Sequence, residues 1–178
     1  MGKGIGGHHR AYRGKQDEWI TPKYIIDALG PFDLDPCAAV NQPWPTAENH
    51  LTKEANGLLN TWLPRSTRIW LNPPYGPETG KWLEKLASHG NGIALCFART
   101  ETRFFQEQVF QKADAILFLA GRLTFYTIEG RKAPHNSGGP SCLVAYGQEN
   151  VSELMRCYEN KLPGYLVQLN NAWQRIED

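Results

Sequence analysis

Four consecutive residues, Asn72, Pro73, Pro74 and Tyr75, have the types and order to act on an amino group attached to a planar ring. Such an amine is a poor nucleophile because its lone pair is delocalised into the ring. Two acceptors on its hydrogens favour the pyramidal form in which the pair is free. The Asn72 amide oxygen is one acceptor; neither proline has an N–H to give to a sheet ladder, so the carbonyls of Asn72 and Pro73 are able to face a cleft. Tyr75 adds an aromatic face for the ring to stack on. The other use of Asn-Pro-Pro-Tyr-Gly is a surface turn, or a proline-rich ligand for an aromatic groove. The preceding Ile69, Trp70 and Leu71 argue for the first reading. They form an apolar run of strand type that the prolines must end. Asn72, pushed towards extended geometry by Pro73, then stands at the carboxyl end of a strand, where open α/β sheets bind ligands.

A second polar group occupies an equivalent place. Asp35 follows a short strand expected at 32–34 and precedes Pro36, Cys37 and Ala38, small residues that let a ligand approach the backbone. Taken singly, Asp35 is also a common turn residue. Positive charge is concentrated in two places, although the 178-residue chain carries a net charge of only +1. Residues 1–16 hold Lys3, His8, His9, Arg10, Arg13 and Lys15 among glycines, which reads as a flexible basic arm able to touch phosphate. The polar stretch 127–140 carries Arg131, Lys132 and His135, with Arg122 just ahead of it. Any affinity for nucleic acid must come from these patches rather than from the field of the whole molecule. Cys37, Cys96, Cys142 and Cys157 lack paired ligand spacing, so buried reduced thiols are expected and structural zinc is not.

The elements that must position these groups follow from periodicity. Thr21-Pro22 has the form of a helix start, with threonine as cap and proline at the first helical position. Tyr24, Ile25, Ala28 and Leu29 then recur at helical spacing. Strands are expected at 32–34, within 47–53, at 68–74, 93–98, 115–120 with an extension over 123–126, and 141–146. Helices are expected at 78–89, around Phe104, Phe105, Val109 and Phe110, and around Glu153, Leu154 and Tyr158. Beyond Pro163 the chain reads as an indifferent polar tail. This alternation argues for an α/β sandwich with a largely parallel sheet, and the non-helical loop between the last two strands suits an antiparallel hairpin. With 41% hydrophobic and 21% charged residues, no membrane-length apolar run and no signal-peptide pattern, a soluble cytoplasmic protein is expected, with residues 17–178 as one domain.

Three segments in one order, Trp19-Ile-Thr21-Pro22, Phe32-Asp-Leu-Asp35-Pro36-Cys37-Ala38 and Asn72-Pro73-Pro74-Tyr75, carry a resemblance, joined later by Gly121-Arg122-Leu-Thr-Phe125. Together they resemble the S-adenosylmethionine-dependent adenine-N6 DNA methyltransferases, in particular the small Dam-like enzymes of bacteriophages and prophages, from about Trp19 to Tyr146. The resemblance implies a Rossmann-like methyltransferase sandwich with a mostly parallel sheet and a terminal antiparallel hairpin. It further implies S-adenosylmethionine as cofactor, no metal, and methyl transfer to the N6 amine of adenine in double-stranded DNA after base flipping. Asn72, Pro73, Pro74 and Tyr75 match the catalytic motif. Trp19, Thr21 and Pro22 would hold the methionine end of the cofactor, with Asp35 near its ammonium group. Pro36, Cys37 and Ala38 would form the cofactor loop, and Asn56 would lie near the cofactor's adenine. Glu48 and Glu54 are candidates for the ribose hydroxyls; Arg122, Arg131, Lys132 and His135 are candidates for DNA contact. The cofactor loop departs from the glycine-rich form of many methyltransferases, with Cys37-Ala38-Ala39-Val40 in its place. The same tetrapeptide also serves enzymes acting on RNA adenine or protein glutamine. A non-catalytic nucleic-acid-binding relic is the remaining alternative, against which the intact tetrapeptide and Asp35 argue.

Overall fold

The computed structural model describes residues 18–169; the basic arm expected over 1–16 lies outside them. In chain order the elements are α1 (Lys23–Leu29), β1 (Leu34–Asp35), β2 (Asn49–His50), β3 (Ile69–Leu71), α2 (Thr79–His89), β4 (Gly92–Phe97), a π-helical segment (Phe105–Phe110), β5 (Ala115–Leu119), β6 (Ser141–Tyr146), α3 (Gln148–Asn160) and β7 (Gly164–Gln168). The seven strands form one sheet in the order β2-β1-β3-β4-β6-β5-β7. β2, β1, β3 and β4 pair in parallel. β6 is inserted between β4 and β5 and runs against both, and β7 pairs antiparallel with β5.

Side chains alternate between two apolar layers, as the period of two along a strand requires. Trp70, Ile93, Leu95, Leu117, Leu143 and Ala145 face α1 and α3, meeting Ile25, Leu29, Val151 and Leu154. Ile69, Leu71, Ala94, Cys96, Ile116, Cys142 and Val144 face α2 and the π-helical segment, meeting Leu83, Leu86, Phe105 and Val109. Because both faces are covered, β3, β4 and β6 read as unbroken apolar runs rather than alternating ones. Cys96, Cys142 and Cys157 are buried free thiols, as expected. No described helix is long and apolar enough to cross a membrane.

Four sequence expectations are corrected. The sheet is parallel only across its first four strands: three of its six pairings are antiparallel, and the expected antiparallel hairpin is present as β5-β6 but lies inside the sheet. The apolar run 123–126 does not extend β5; Gly121, at φ +73°, turns the chain away, and only Tyr126 makes isolated bridges, to Ile20 and Lys132. The expected polar tail begins with β7, which binds the outer edge of β5 from Ala115 to Leu119. Thr21 is not a helix cap: α1 starts at Lys23 with Pro22 as its N-cap and no side-chain cap, so the Thr21 hydroxyl is left for another use.

Arg68 fixes the strand that carries Asn72. Its buried guanidinium donates to the carbonyls of Leu29 at 2.9 Å and Pro31 at 2.7 Å, and to Asn150 Oδ1 at 2.8 Å. The start of β3 is thereby tied to the end of α1 and to α3. A buried charge tolerates that position because carbonyl oxygens replace its water.

Candidate active site

At the carboxyl end of β3 the Asn72 side chain is oriented from behind. Its Nδ2 donates to the Trp19 carbonyl at 3.3 Å, which turns Oδ1 to the opposite side, where the Tyr75 hydroxyl donates to it at 3.3 Å. The carbonyls of the motif are sorted by their donors. That of Asn72 accepts from Cys37 Sγ at 3.1 Å, and that of Pro74 accepts from Thr79 Oγ1 at 2.8 Å. Thr79 Oγ1 in turn accepts from Gly76 N at 3.0 Å, locking the turn onto the start of α2. The carbonyl of Pro73 has no donor among the described residues, so it, rather than that of Asn72, is the second acceptor available to a ligand. The Tyr75 ring, 37% exposed, stacks on Phe97 with centroids 4.3 Å apart and planes 28° apart, and meets the edge of Phe125 at 6.4 Å. Phe97 was not among the sequence candidates; the signal available was its place at the end of the strand next to β3.

This device opens into a cavity of about 720 Å³, at the carboxyl ends of β1 and β3. The strand order reverses there, because β2 lies on one side of β1 and β3 on the other. Trp19, Thr21, Asp35, Pro36, Cys37, Ala38 and Asn56 line the cavity together with Asn72, Pro73, Pro74 and Tyr75. Residues as far apart in sequence as Glu18 and Ile128 are thus gathered at one sheet edge; Pro22, turned into the base of α1, is not in the lining. Nor are Glu48 and Glu54, the latter accepting from Thr52 Oγ1 at 2.5 Å. The acids in the lining are Glu18, Asp35 and Glu78.

Asp35 is 3% exposed and makes no ion pair among the described residues. Its Oδ1 accepts from Cys37 N at 3.0 Å and its Oδ2 from Thr46 Oγ1 at 2.5 Å. Burial pushes its pKa up from 3.8 to about 6, and these two bonds limit the rise. Thr46 is held in turn by Gln42 Nε2 at 3.1 Å, while the backbone N–H groups of Thr46 and Ala47 both donate to His50 Nε2 at 3.3 Å. Segment 42–50 is therefore a support for Asp35. A polar loop acting through side-chain hydrogen bonds has no periodicity by which sequence reading would find it. The Thr21 hydroxyl and the Trp70 indole N–H, both buried and both in the lining, have no partner among the described residues.

Arg122, Arg131, Lys132 and His135 are all exposed, and none lines the cavity. Arg122 Nη1 donates to the Gly138 carbonyl at 3.2 Å. The loop that carries them is nonetheless fastened to the cavity wall. Ile20 and Tyr126 exchange backbone bonds of 2.8 and 3.0 Å, Tyr126 meets the Trp44 ring edge-on at 5.1 Å, and Ile128 enters the lining. Trp44 Nε1 donates to the Thr21 carbonyl at 3.0 Å, which closes the link. No group of three or more His, Cys, Asp or Glu able to hold a metal occurs among the described residues.

Two acceptors beside a stacking ring, opening on a cavity with a buried carboxylate, suit an enzyme that transfers a group to a ring amine. The sequence profile of the DNA N-6-adenine-methyltransferase (Dam) family matches residues 9–161, and the chain belongs to that family. The family indicates a DNA adenine methyltransferase, with DNA as substrate and a methyl donor as cosubstrate. Neither the curated proteins nor the solved structures contain a match to this chain.

Proposed function

We propose that the protein transfers a methyl group from S-adenosylmethionine to the N6 amine of an adenine flipped out of double-stranded DNA, at a recognised site. The observation that carries this reading is the shared cavity: Asn72 and Pro73 line the same space as Asp35, whose buried carboxylate has no ion-pair partner among the described residues. The helices on both faces of the sheet support treating 17–178 as one Rossmann-like methyltransferase domain.

The residues present fit the cofactor. A volume of about 720 Å³ is in the range of small-molecule sites. Asp35 offers a buried charge to an ammonium group, and the Thr21 hydroxyl and Trp70 N–H are polar atoms awaiting partners. Asn56 borders the cavity and would meet the cofactor's adenine. Bound there, S-adenosylmethionine supplies an electrophilic methyl group on a sulfonium.

The chain's own part is positioning and enclosure. Asn72 Oδ1 and the Pro73 carbonyl accept from the two hydrogens of the amine and draw its lone pair out of the ring. Tyr75, backed by Phe97, fixes the plane of the base. Burial of the reacting groups in the cavity once base and cofactor fill it would favour the dispersed charge of the transition state over the concentrated charge of the sulfonium. A base inside a duplex cannot reach this recess, so flipping is required.

The direct test is transfer of labelled methyl from S-adenosylmethionine to duplex DNA, RNA and protein in parallel. The expected product is N6-methyldeoxyadenosine in the DNA arm; label confined to RNA or protein would overturn the reading. The basic loop is expected to contact phosphate. Each phosphate contact contributes roughly 0.9 to the slope of log affinity against log salt, so Arg131→Ala with Lys132→Ala should flatten that slope by about 2. An unaltered slope would place the phosphate contacts elsewhere.

A further inference from the structure

Along one face of α2 stand Trp82, which lines the cavity, and Lys85 and His89, one and two helical turns further on. The Lys85 ammonium donates to the carbonyls of Gly57 at 3.0 Å, of Leu58 at 2.7 Å and of Asn60, and lies 4.7 Å from the Trp62 ring centroid. The Gly57 carbonyl also accepts from Trp62 Nε1 at 2.9 Å, and Trp62 stacks on Trp82. These carbonyls converge because the chain turns left-handed at Asn56, at φ +49°. Three carbonyl oxygens aimed at one point repel each other, and all three ammonium hydrogens are needed to hold them there. The Gly57 backbone is seated so closely on the preceding wall that an added Cβ would stand 1.9 Å from the Pro36 carbonyl oxygen. The loop 56–60 thus rests on the Asp35-Pro36-Cys37 segment on one side and is held by α2 on the other. That helix begins directly after the Asn72 motif, and Thr79 ties the motif to its first turn.

We propose that Lys85 is the positioning residue of the cofactor wall: its ammonium organises the three carbonyls of loop 56–60 and so sets Asn56 and Gly57 against the cavity. The proposal rests on the reading that this cavity binds S-adenosylmethionine. Lys85 itself is not in the cavity lining and touches neither the motif nor the cofactor space. Its effect is therefore confined to the wall. It should appear in cofactor affinity and not in affinity for DNA.

Methionine fills a similar volume but cannot donate, so Lys85→Met is the informative variant. In the ligand-free protein, amide hydrogens of residues 57–60 should exchange faster in Lys85→Met, while those of β4 and β6 stay as protected as in the parent. Titration calorimetry should show S-adenosylmethionine bound at least about tenfold more weakly. DNA affinity without cofactor and turnover at saturating cofactor should match the parent. Lys85→Ala supplies a second arm: propylammonium should restore protection and cofactor affinity, and tetramethylammonium, which has no hydrogens to donate, should not. Unchanged exchange and affinity in Lys85→Met, equal recovery with both cations, or loss of turnover at saturating cofactor would each overturn the proposal. Failure of the parent protein itself to bind S-adenosylmethionine would instead remove the reading on which it rests.

Discussion

Asn72→Ala is expected to abolish most turnover while leaving a folded protein that still binds the cofactor. The side chain makes one protein bond as a donor, at 3.3 Å to the Trp19 carbonyl. Losing such a bond costs about 1 kcal/mol, which for a chain of this size lowers the melting temperature by roughly 2–4 °C. The extended backbone at this position is imposed by Pro73 rather than by the amide. Catalysis has more to lose. Removing one preorganised hydrogen-bonding group from a reacting centre typically costs about 10²–10³ in rate. Tyr75 separates ring from hydroxyl. Tyr75→Phe removes a 3.3 Å bond to Asn72 Oδ1 and keeps the stack on Phe97, so its effect should be mild. Tyr75→Ala removes the platform, worth about 1–3 kcal/mol per stacked base. Single-turnover methylation and thermal melts on the three variants check this. An active Asn72→Ala, or one inactive only because it is unfolded, would return the motif to the role of a structural turn.

The parts legible in the sequence are those governed by period and by chain stiffness. β4, β5 and β6 stand within a residue or two of where their apolar runs predict, β3 keeps only the apolar part Ile69–Leu71 of the expected 68–74, and α2 is capped by Gly90, whose φ of +80° is the expected stop. Asn72 and Asp35 were found because prolines and small residues mark strand ends. What escaped depends on non-local partners. β7 is half exposed, so no apolar run announces it, and its place is set by the free edge of β5. Residues 123–126 look like a strand, but the turn at Gly121 carries them to Ile20 instead. The insertion of β6 between β4 and β5 halves the parallel pairing, a matter of strand order on which side-chain alternation is silent. Thr46, Phe97 and Lys85 serve the site through partners 11, 22 and up to 28 residues away, by hydrogen bonds or ring contact. A hydroxyl, a phenyl ring and an ammonium each occur throughout any surface, and only the fold shows which of them converge.

The affinity for S-adenosylmethionine is expected to depend on pH through Asp35, and Asp35→Asn is expected to remove that dependence. Burial raises the carboxyl from 3.8 to about 6 in the folded chain. The sign follows from the direction: a carboxyl whose folded value lies above its unfolded one stabilises the fold in its protonated form. That stability is fully present below about 3.8 and is lost as pH rises through about 6. At neutral pH the ligand-free protein therefore holds an ionised carboxylate at a cost on the order of 3 kcal/mol. A bound ammonium relieves that cost, because opposite charge favours the ionised form. Binding below about pH 6 must accordingly expel a proton, so affinity should fall roughly tenfold per pH unit there and level off above about 7. It should fall again near 8 as the cofactor's own α-amino group, with an ordinary value of about 7.7–8.0, loses its charge. Asp35→Asn keeps the shape and an acceptor for Cys37 N but carries no charge. It should bind more than tenfold more weakly at pH 7, a loss above about 1.4 kcal/mol, with no change between pH 5 and 7. Ligand-free Asp35→Asn should also lack the loss of stability that the raised Asp35 carboxyl is expected to contribute in the parent between about pH 4 and 7. Calorimetry in buffers of different ionisation enthalpy measures both the affinity and the proton released. Flat parental affinity between pH 5 and 7, or an Asp35→Asn variant that binds like the parent, would mean that the ammonium group is held by another acid of the cavity, Glu18 or Glu78.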